Sequence, residues 1–348
     1  MSSAAFRRGG SIVRQLVLGR WPVLVLGVLT VLGVVALTFV PRLASGPAVA
    51  AAVAVDGFGT NPGNLAMYVY TPDDRPTAPA LVVALHGCTQ SADDYLTHSG
   101  WRELADRDGF VLVLPEQKIA NNLNRCFDWF EENDIRRGSG EALSVIQMVD
   151  AARSAYGLDP ARVFVTGLSA GGAMTAVLLA TYPDVFAAGA VLAAVPFGCA
   201  TSLTAAFDCM DHGSDRTPSQ WAQQVRAAFP GYSGPYPRVA VWHGTADGTV
   251  SPVNAAESRD QWAGVHGLSP LPTSTKVLPG SDPRGTVQEV YADASGRPIV
   301  EVYWVEGMTH GAPVDPGSGV TECGATGAYF LDTICSSYYT ARFWGLDG

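Results

Sequence analysis

RVFVTGLSAGGAMTAVLLATY, residues Arg162 to Tyr182, sets one hydroxyl, Ser169, between a β-branched apolar run and an alanine-rich run. The first half reads as a buried strand and the second as a helix. Gly167 stands two before the serine, and Ala170, Gly171 and Gly172 follow it. Glycines so placed permit a sharp turn in which backbone meets backbone, where a side chain would clash. G-x-S-x-G between a strand and a helix is the pattern of a serine on a strained turn with its hydroxyl exposed. The competing reading is a plain tight connection that merely holds a serine. The strand before and the helix after favour the nucleophile.

Working outward, short apolar runs alternate with helical patterns. LAMYVYTP, ALVVALHG, FVLVLPEQ, AGAVLAAVP, RVAVWHG and IVEVYWVEGMTH read as strands. SADDYLTHSGWRELADRDG, opened by Ser91, EALSVIQMVDAARSAYG, TPSQWAQQVRAAF, VNAAESRDQWAGVHG and a closing YFLDTICSSYYTARFWGL read as helices. TPSQ carries a capping box, with Thr217 as N-cap, Pro218 in the first turn and Gln220 three residues on. Strands apolar on both faces and separated by helices predict an α/β fold with a mostly parallel central sheet flanked by helices on both faces. Such sheets hold their sites at the carboxyl ends of the strands.

A serine nucleophile needs a base and an acid, in the chain order serine, acid, histidine. His212, His243, His266 and His310 follow Ser169. His310, in VEGMTHGAP just past a strand, is the expected base; His212 falls in a polar loop, and His266 near a helix end. His243 precedes the best acid. That acid is Asp247, in the turn of VAVWHGTADGTV, where a loop-capping aspartate is the alternative; Asp260 and Asp282 stand in reserve. An oxyanion needs two backbone donors, one from the residue after the nucleophile, Ala170, and one from the loop after an early strand. LVVALHGCTQ supplies that loop: Cys88 is the expected donor, with Thr89 next and as a substrate contact, and His86 structural.

Of 22 basic residues five fall among the first fifty, which hold no acid, so the remainder carries 17 basic against 32 acidic residues, a formal charge of −15. So acidic a body repels phosphate backbones, and nucleic acid is excluded as a partner. Residues 21–40, WPVLVLGVLTVLGVVALTFV, are uncharged, preceded by arginines and followed by small residues. They read as an export signal, cut near Ala50, or as a signal anchor leaving possible membrane anchorage. A linker of alanine and glycine, Pro41 to Gly57, follows. The expected domains are therefore residues 1–50 for export and 51–348 for one catalytic body. All six cysteines lie in the exported part, which favours disulfides. No zinc-ligand spacing appears, so neither metal nor cofactor is expected. A monomer is expected, in the extracellular space or at the outer face of the membrane.

GFGTNPGNLAMYVYTP, ALHGCTQSADDY, CFDWF, VTGLSAGGAMTAVLLATYPDVFAAGAVLAAVPFGCA, WHGTADGTV, GMTHGAP and ARFWGL recur in one order from Gly57 to Gly345. Together they resemble the polyhydroxybutyrate depolymerase family of esterases, to which secreted feruloyl and acetylxylan esterases are close. The resemblance implies an α/β-hydrolase with Ser169, Asp247 and His310 as its triad, acting on a polyester or a polysaccharide-linked ester. A catalytically inactive binding protein on the same fold is the alternative of another class. The expected disulfides are Cys88–Cys126, Cys199–Cys209 and Cys323–Cys335, the last two favoured by proximity among fifteen possible connectivities. For Trp129 the resemblance points to the cleft as a substrate contact, whereas Phe127 and Phe130 suit the core equally well. No long amphipathic lid is visible, so short acyl chains are expected to be preferred.

Overall fold

Strand residues alternate between two apolar layers, as a period-two pattern covered on both faces requires. In Leu81–Leu85, residues Leu81, Val83 and Leu85 enter one core cluster while Val82 and Ala84 enter the other. Val111 and Val113 are divided from Leu112 and Leu114 in the same way. The computed structural model describes residues 51–280 and 283–347, which belong to one compact unit. The export segment 1–50, with its apolar residues 21–40, and the reserve acid Asp282 lie outside the described residues.

The chain enters through β1 (Val53–Val55), β2 (Ala66–Tyr70) and β3 (Leu81–Leu85), then α1 (Ala92–His98), α2 (Trp101–Asp108) and β4 (Val111–Glu116). There follow α3 (Gly140–Tyr156), β5 (Val163–Leu168), α4 (Ala170–Thr181), β6 (Ala188–Leu192), α5 (Leu203–His212), α6 (Pro218–Ala228) and β7 (Arg238–Gly244). The remainder is α7 (Val253–His266), β8 (Ser274–Leu278), β9 (Thr286–Ala292), β10 (Pro298–Val305), β11 (Ala312–Val314), β12 (Phe330–Asp332) and α8 (Ser336–Trp344). Ten strands form one sheet in the order β1-β2-β4-β3-β5-β6-β7-β10-β9-β8. From β4 to β10 every neighbouring pair is parallel, and the outer strands at both edges are antiparallel. Helices α3, α4, α6 and α7 cover one face, and α1, α2 and α8 the other.

The parallel centre, the two helical layers and the capping box at Thr217 agree with the sequence reading. Four local readings need correction. The stretch opened by Ser91 is two helices, because Ser99 closes α1 and Gly100, at φ 82°, turns the chain into α2. The closing helix begins only at Ser336, since Phe330–Asp332 pairs in parallel with Ala312–Val314. His212 ends α5 rather than lying in a loop. Val53–Val55, read as the tail of a linker, pairs with β2 at the sheet's edge.

Candidate active site

Parallel strands present all their carboxyl ends along one edge, and the predicted residues meet there. Ser169 follows β5, Asp247 follows β7, His310 follows β10, and Cys88 follows β3. Ser169 stands at φ 55°, ψ −118°, a conformation that side chains rarely adopt. The packing explains its glycines. A Cβ on Gly167 would strike the Gly171 carbonyl, and one on Gly171 would strike the carbonyls of Leu85 and His86. The turn therefore lies directly against the strand that carries the Cys88 loop.

The three side chains form one hydrogen-bonded line. His310 Nδ1 lies 2.8 Å from Asp247 Oδ2, and His310 Nε2 lies 2.9 Å from Ser169 Oγ. A carboxylate only accepts, so Nδ1 carries the proton and Nε2 is left to accept from the serine hydroxyl. Asp247 Oδ1 accepts from the amides of Thr249 and Val250 at 2.8 and 2.9 Å. Its carboxylate is fully buried, and burial alone would raise its pKa. The hydrogen bonds from His243 and His310, with the charge of His310, more than offset burial and hold the carboxyl well below the usual range. His243 belongs to this site although sequence order set it aside as base. Its Nε2 lies 3.4 Å from Asp247 Oδ2 and 2.9 Å from the Val250 carbonyl, so it donates on the acid's side. The reserve Asp260 pairs with Arg259 instead, at 2.7 Å.

The loop after β3 is fixed from several directions. His86 Nδ1 donates to the Gly87 carbonyl at 2.7 Å, and Nε2 accepts from the Gln117 amide at 3.1 Å. Burial pushes the His86 imidazole down to about 4, so it is a neutral tie, in keeping with a structural role. The Gly87 amide donates to Gln90 Oε1, the Gln90 amide to the Gly87 carbonyl, and the Thr89 amide to the Asn124 carbonyl. Thr89 is thereby removed as the second-choice oxyanion donor, although its side of the loop still borders the cleft. No acceptor among the described residues takes the Cys88 amide. Ala170 opens α4, where first-turn amides have no partner within the helix.

Disulfides join Cys88 to Cys126, Cys199 to Cys209 and Cys323 to Cys335. The first ties the β3 loop to the segment bearing the aromatics. Phe127 is fully buried against His86, whereas Trp129 and Phe130 both reach the cleft wall. Behind that wall the buried Glu141 accepts from the Asp128 amide and from Gln117 Nε2. Burial, with the charge of Asp128 adding to it, pushes the Glu141 carboxyl well above its usual value.

Ser169 stands between two lobes of one cleft. The larger, about 340 Å³, is bounded by Trp129, Phe130, Val195, Leu203, Phe207 and Met210. The smaller, about 140 Å³, is bounded by Gln90, Thr249, His310 and Tyr329. A wider groove of about 560 Å³, between Tyr232, Tyr236 and Arg238, holds none of the line's three residues. Leu203, Phe207 and Met210 come from α5, an element absent from the sequence reading. Their i, i+4, i+7 spacing was the signal that could have found it.

A parallel sheet between helical layers, with a serine on a sharp turn leaving its middle strand within reach of a histidine, defines an α/β-hydrolase. Residues 65–276 match the model of a family described as Esterase PHB depolymerase. The chain is 48% identical over 305 residues to poly(3-hydroxyalkanoate) depolymerase C of Paucimonas lemoignei, a match covering 87% of this chain and 72% of that protein. It is 38% identical over 261 residues to the acetylxylan esterase of Coprinopsis cinerea, covering 74% and 68% respectively. The solved acetyl xylan esterase from Aspergillus awamori matches with a TM-score of 0.71 at 30% identity, over 85% of this chain and 100% of that one. The chain belongs to the esterase PHB depolymerase family and is a carboxylic-ester hydrolase.

Proposed function

We propose that the chain hydrolyses aliphatic polyesters and their short-chain analogues through an acyl-enzyme on Ser169. The observation that carries the mechanism is the unbroken line from Ser169 Oγ through His310 to Asp247. Ser169 Oγ attacks the ester carbonyl while its proton passes to His310 Nε2. The amides of Cys88 and Ala170 receive the oxyanion, at the positive end of α4. The C–O bond to the alcohol then breaks, and His310 gives its proton to the departing alkoxide. Water, deprotonated by the same nitrogen, releases the acid and restores the serine. Asp247 stays ionised throughout, fixing the tautomer and stabilising the imidazolium; His243 and the Thr249 and Val250 amides hold it in place.

The 48% identity to a poly(3-hydroxyalkanoate) depolymerase, against 38% to an acetylxylan esterase, supports a polyester of hydroxy acids as the substrate. The likeness to a solved acetyl xylan esterase favours polysaccharide-linked esters as the second reading. We take residues 1–50 as the export segment and 51–348 as the esterase domain. Three disulfides support an extracellular site of action, with residues 21–40 holding any uncut chain at the membrane's outer face.

Release of soluble acid from a poly(3-hydroxybutyrate) suspension, methyl ferulate and acetylated xylan tests the substrate class, with nitrophenyl butyrate as the control ester. The polyester and the butyrate should turn over, and the two plant esters at least about tenfold more slowly. Faster release of ferulate or acetate would establish the second reading. A folded protein inert on all four would be a binding protein.

A further inference from the structure

We propose that the cleft separates the two halves of its ester, the acyl part entering the larger lobe and the alcohol the smaller, and that α5 sets which acyl groups are accepted. The proposal rests on the assignment of Ser169 as nucleophile and His310 as proton donor. Both lobes touch Ser169, but His310 borders only the smaller one. The departing alkoxide must receive its proton from His310 Nε2, so the alcohol oxygen stands on that side. The acyl chain, on the far side of the carbonyl carbon, is left with the larger lobe.

The lobes differ chiefly in size. The alcohol lobe is small and carries Gln90 and Thr249. The acyl lobe includes Thr89, Asn122 and Asn124 in an otherwise mostly apolar lining, and its volume of about 340 Å³ corresponds to roughly eleven groups of water size. That exceeds the need of an acetyl group severalfold.

Helix α5 makes the outer wall of this lobe. Leu203, Phe207 and Met210 share one helical face and turn it to the cleft. Leu203 and Phe207 are nevertheless 54% and 59% exposed, so large apolar side chains stand in water over an apolar cavity. The helix is firmly held. Ala206 is buried in the cleft wall, Cys209 is buried and joined to Cys199, and the Ser202 hydroxyl caps the amino end. Asn254 Nδ2 donates to the carbonyls of Cys209 and Met210 at 2.9 and 3.1 Å. A helix fixed in this way is a wall of set position, and an apolar acyl chain is the part of an ester that would cover its exposed face. The class of substrate is therefore an ester whose acyl half carries several apolar carbons, with only the part of the alcohol half next to the cleaved bond held in the smaller lobe.

Two ester series read the two lobes separately. At fixed nitrophenol, kcat/KM should rise by about fourfold per methylene from acetate until the lobe is filled, and fall again by palmitate. In Phe207→Ala the ratio of hexanoate to acetate should drop about tenfold, whereas the ratio of hexyl to ethyl butyrate should stay within about twofold of wild type. Leu203→Trp, which narrows the same lobe, should move the acyl optimum to shorter chains. A change in the alcohol ratio with a constant acyl ratio would reverse the assignment, and unchanged ratios in both folded variants would remove α5 from specificity. Equal losses on every ester would also reject it. Failure of the underlying serine assignment shows elsewhere, as activity retained by Ser169→Ala.

Discussion

Ser169→Ala is expected to lower kcat on nitrophenyl butyrate by about 10⁶ while leaving the melting temperature at or above that of wild type. The loss is that large because His310 and Asp247 have no reaction to assist once the hydroxyl is gone, so the three side chains act as one unit. Stability should not suffer, since the serine hydroxyl is hydrogen-bonded to His310 and packs no core. Its backbone conformation, at φ 55°, is held by the β5–α4 turn, and alanine tolerates that φ no worse than serine. Residual hydrolysis of about 10³–10⁴ over water should remain from the oxyanion site and binding alone. His310→Ala should behave in the same way.

Asp247→Asn is expected to cost about 10⁴ in kcat, less than loss of the nucleophile. An asparagine turned to keep its carbonyl on the Thr249 and Val250 amides would offer an NH₂ group to His310. The imidazole would then present its lone pair to that amide and its proton to Ser169, the wrong tautomer for a base. His243→Phe removes one donor from the buried carboxylate and should cost about 10–100-fold, the range of one hydrogen bond to a charged group. The pH dependence of stability follows from the depressed Asp247 carboxyl. A carboxyl whose folded pKa lies below its unfolded value contributes stability above the unfolded value and loses it as pH falls towards the folded one. Thermal melting should therefore show wild type more stable than Asp247→Asn at pH 7, with the gap closing below the ordinary carboxylate pKa near 4. A gap that widens on acidification would contradict the burial and hydrogen bonding assigned to Asp247.

The residues that the structure brings into one hydrogen-bonded line were legible because each sits where a strand ends, and strand ends are marked by short-range chemistry. Gly167 and Gly171 announce the turn at Ser169, Gly244 and Gly248 frame Asp247, and Gly307 and Gly311 frame His310. Cys88 was legible for the same reason, as the residue after the His86-Gly87 strand end. The reserve donor Thr89 was not, since its amide is taken by Asn124, a partner distant in sequence whose approach depends on the Cys88–Cys126 disulfide. Helix α5 escaped because its apolar face turns to the cleft and to water rather than to the core, so only Ala206 and Cys209 are buried. Strand β8 escaped because four of its five residues are exposed, leaving no apolar run to read. At the carboxyl end, the apolar run YFLDTI suits a helix by composition, but pairing of Phe330–Asp332 with Ala312–Val314 wins. In that last miss a tertiary partner, distant in sequence, decided the local structure.

Covalent labelling locates the nucleophile without any assumption about the natural ester. Wild-type protein, treated with a small fluorophosphonate, digested and mapped by mass spectrometry, should carry one adduct, on Ser169, in step with loss of esterase activity. His310→Ala should acquire the same adduct orders of magnitude more slowly, because the hydroxyl is no longer activated. An adduct on any other residue in inactivated protein, or activity that survives full labelling of Ser169, would contradict the assignment of Ser169 as the nucleophile.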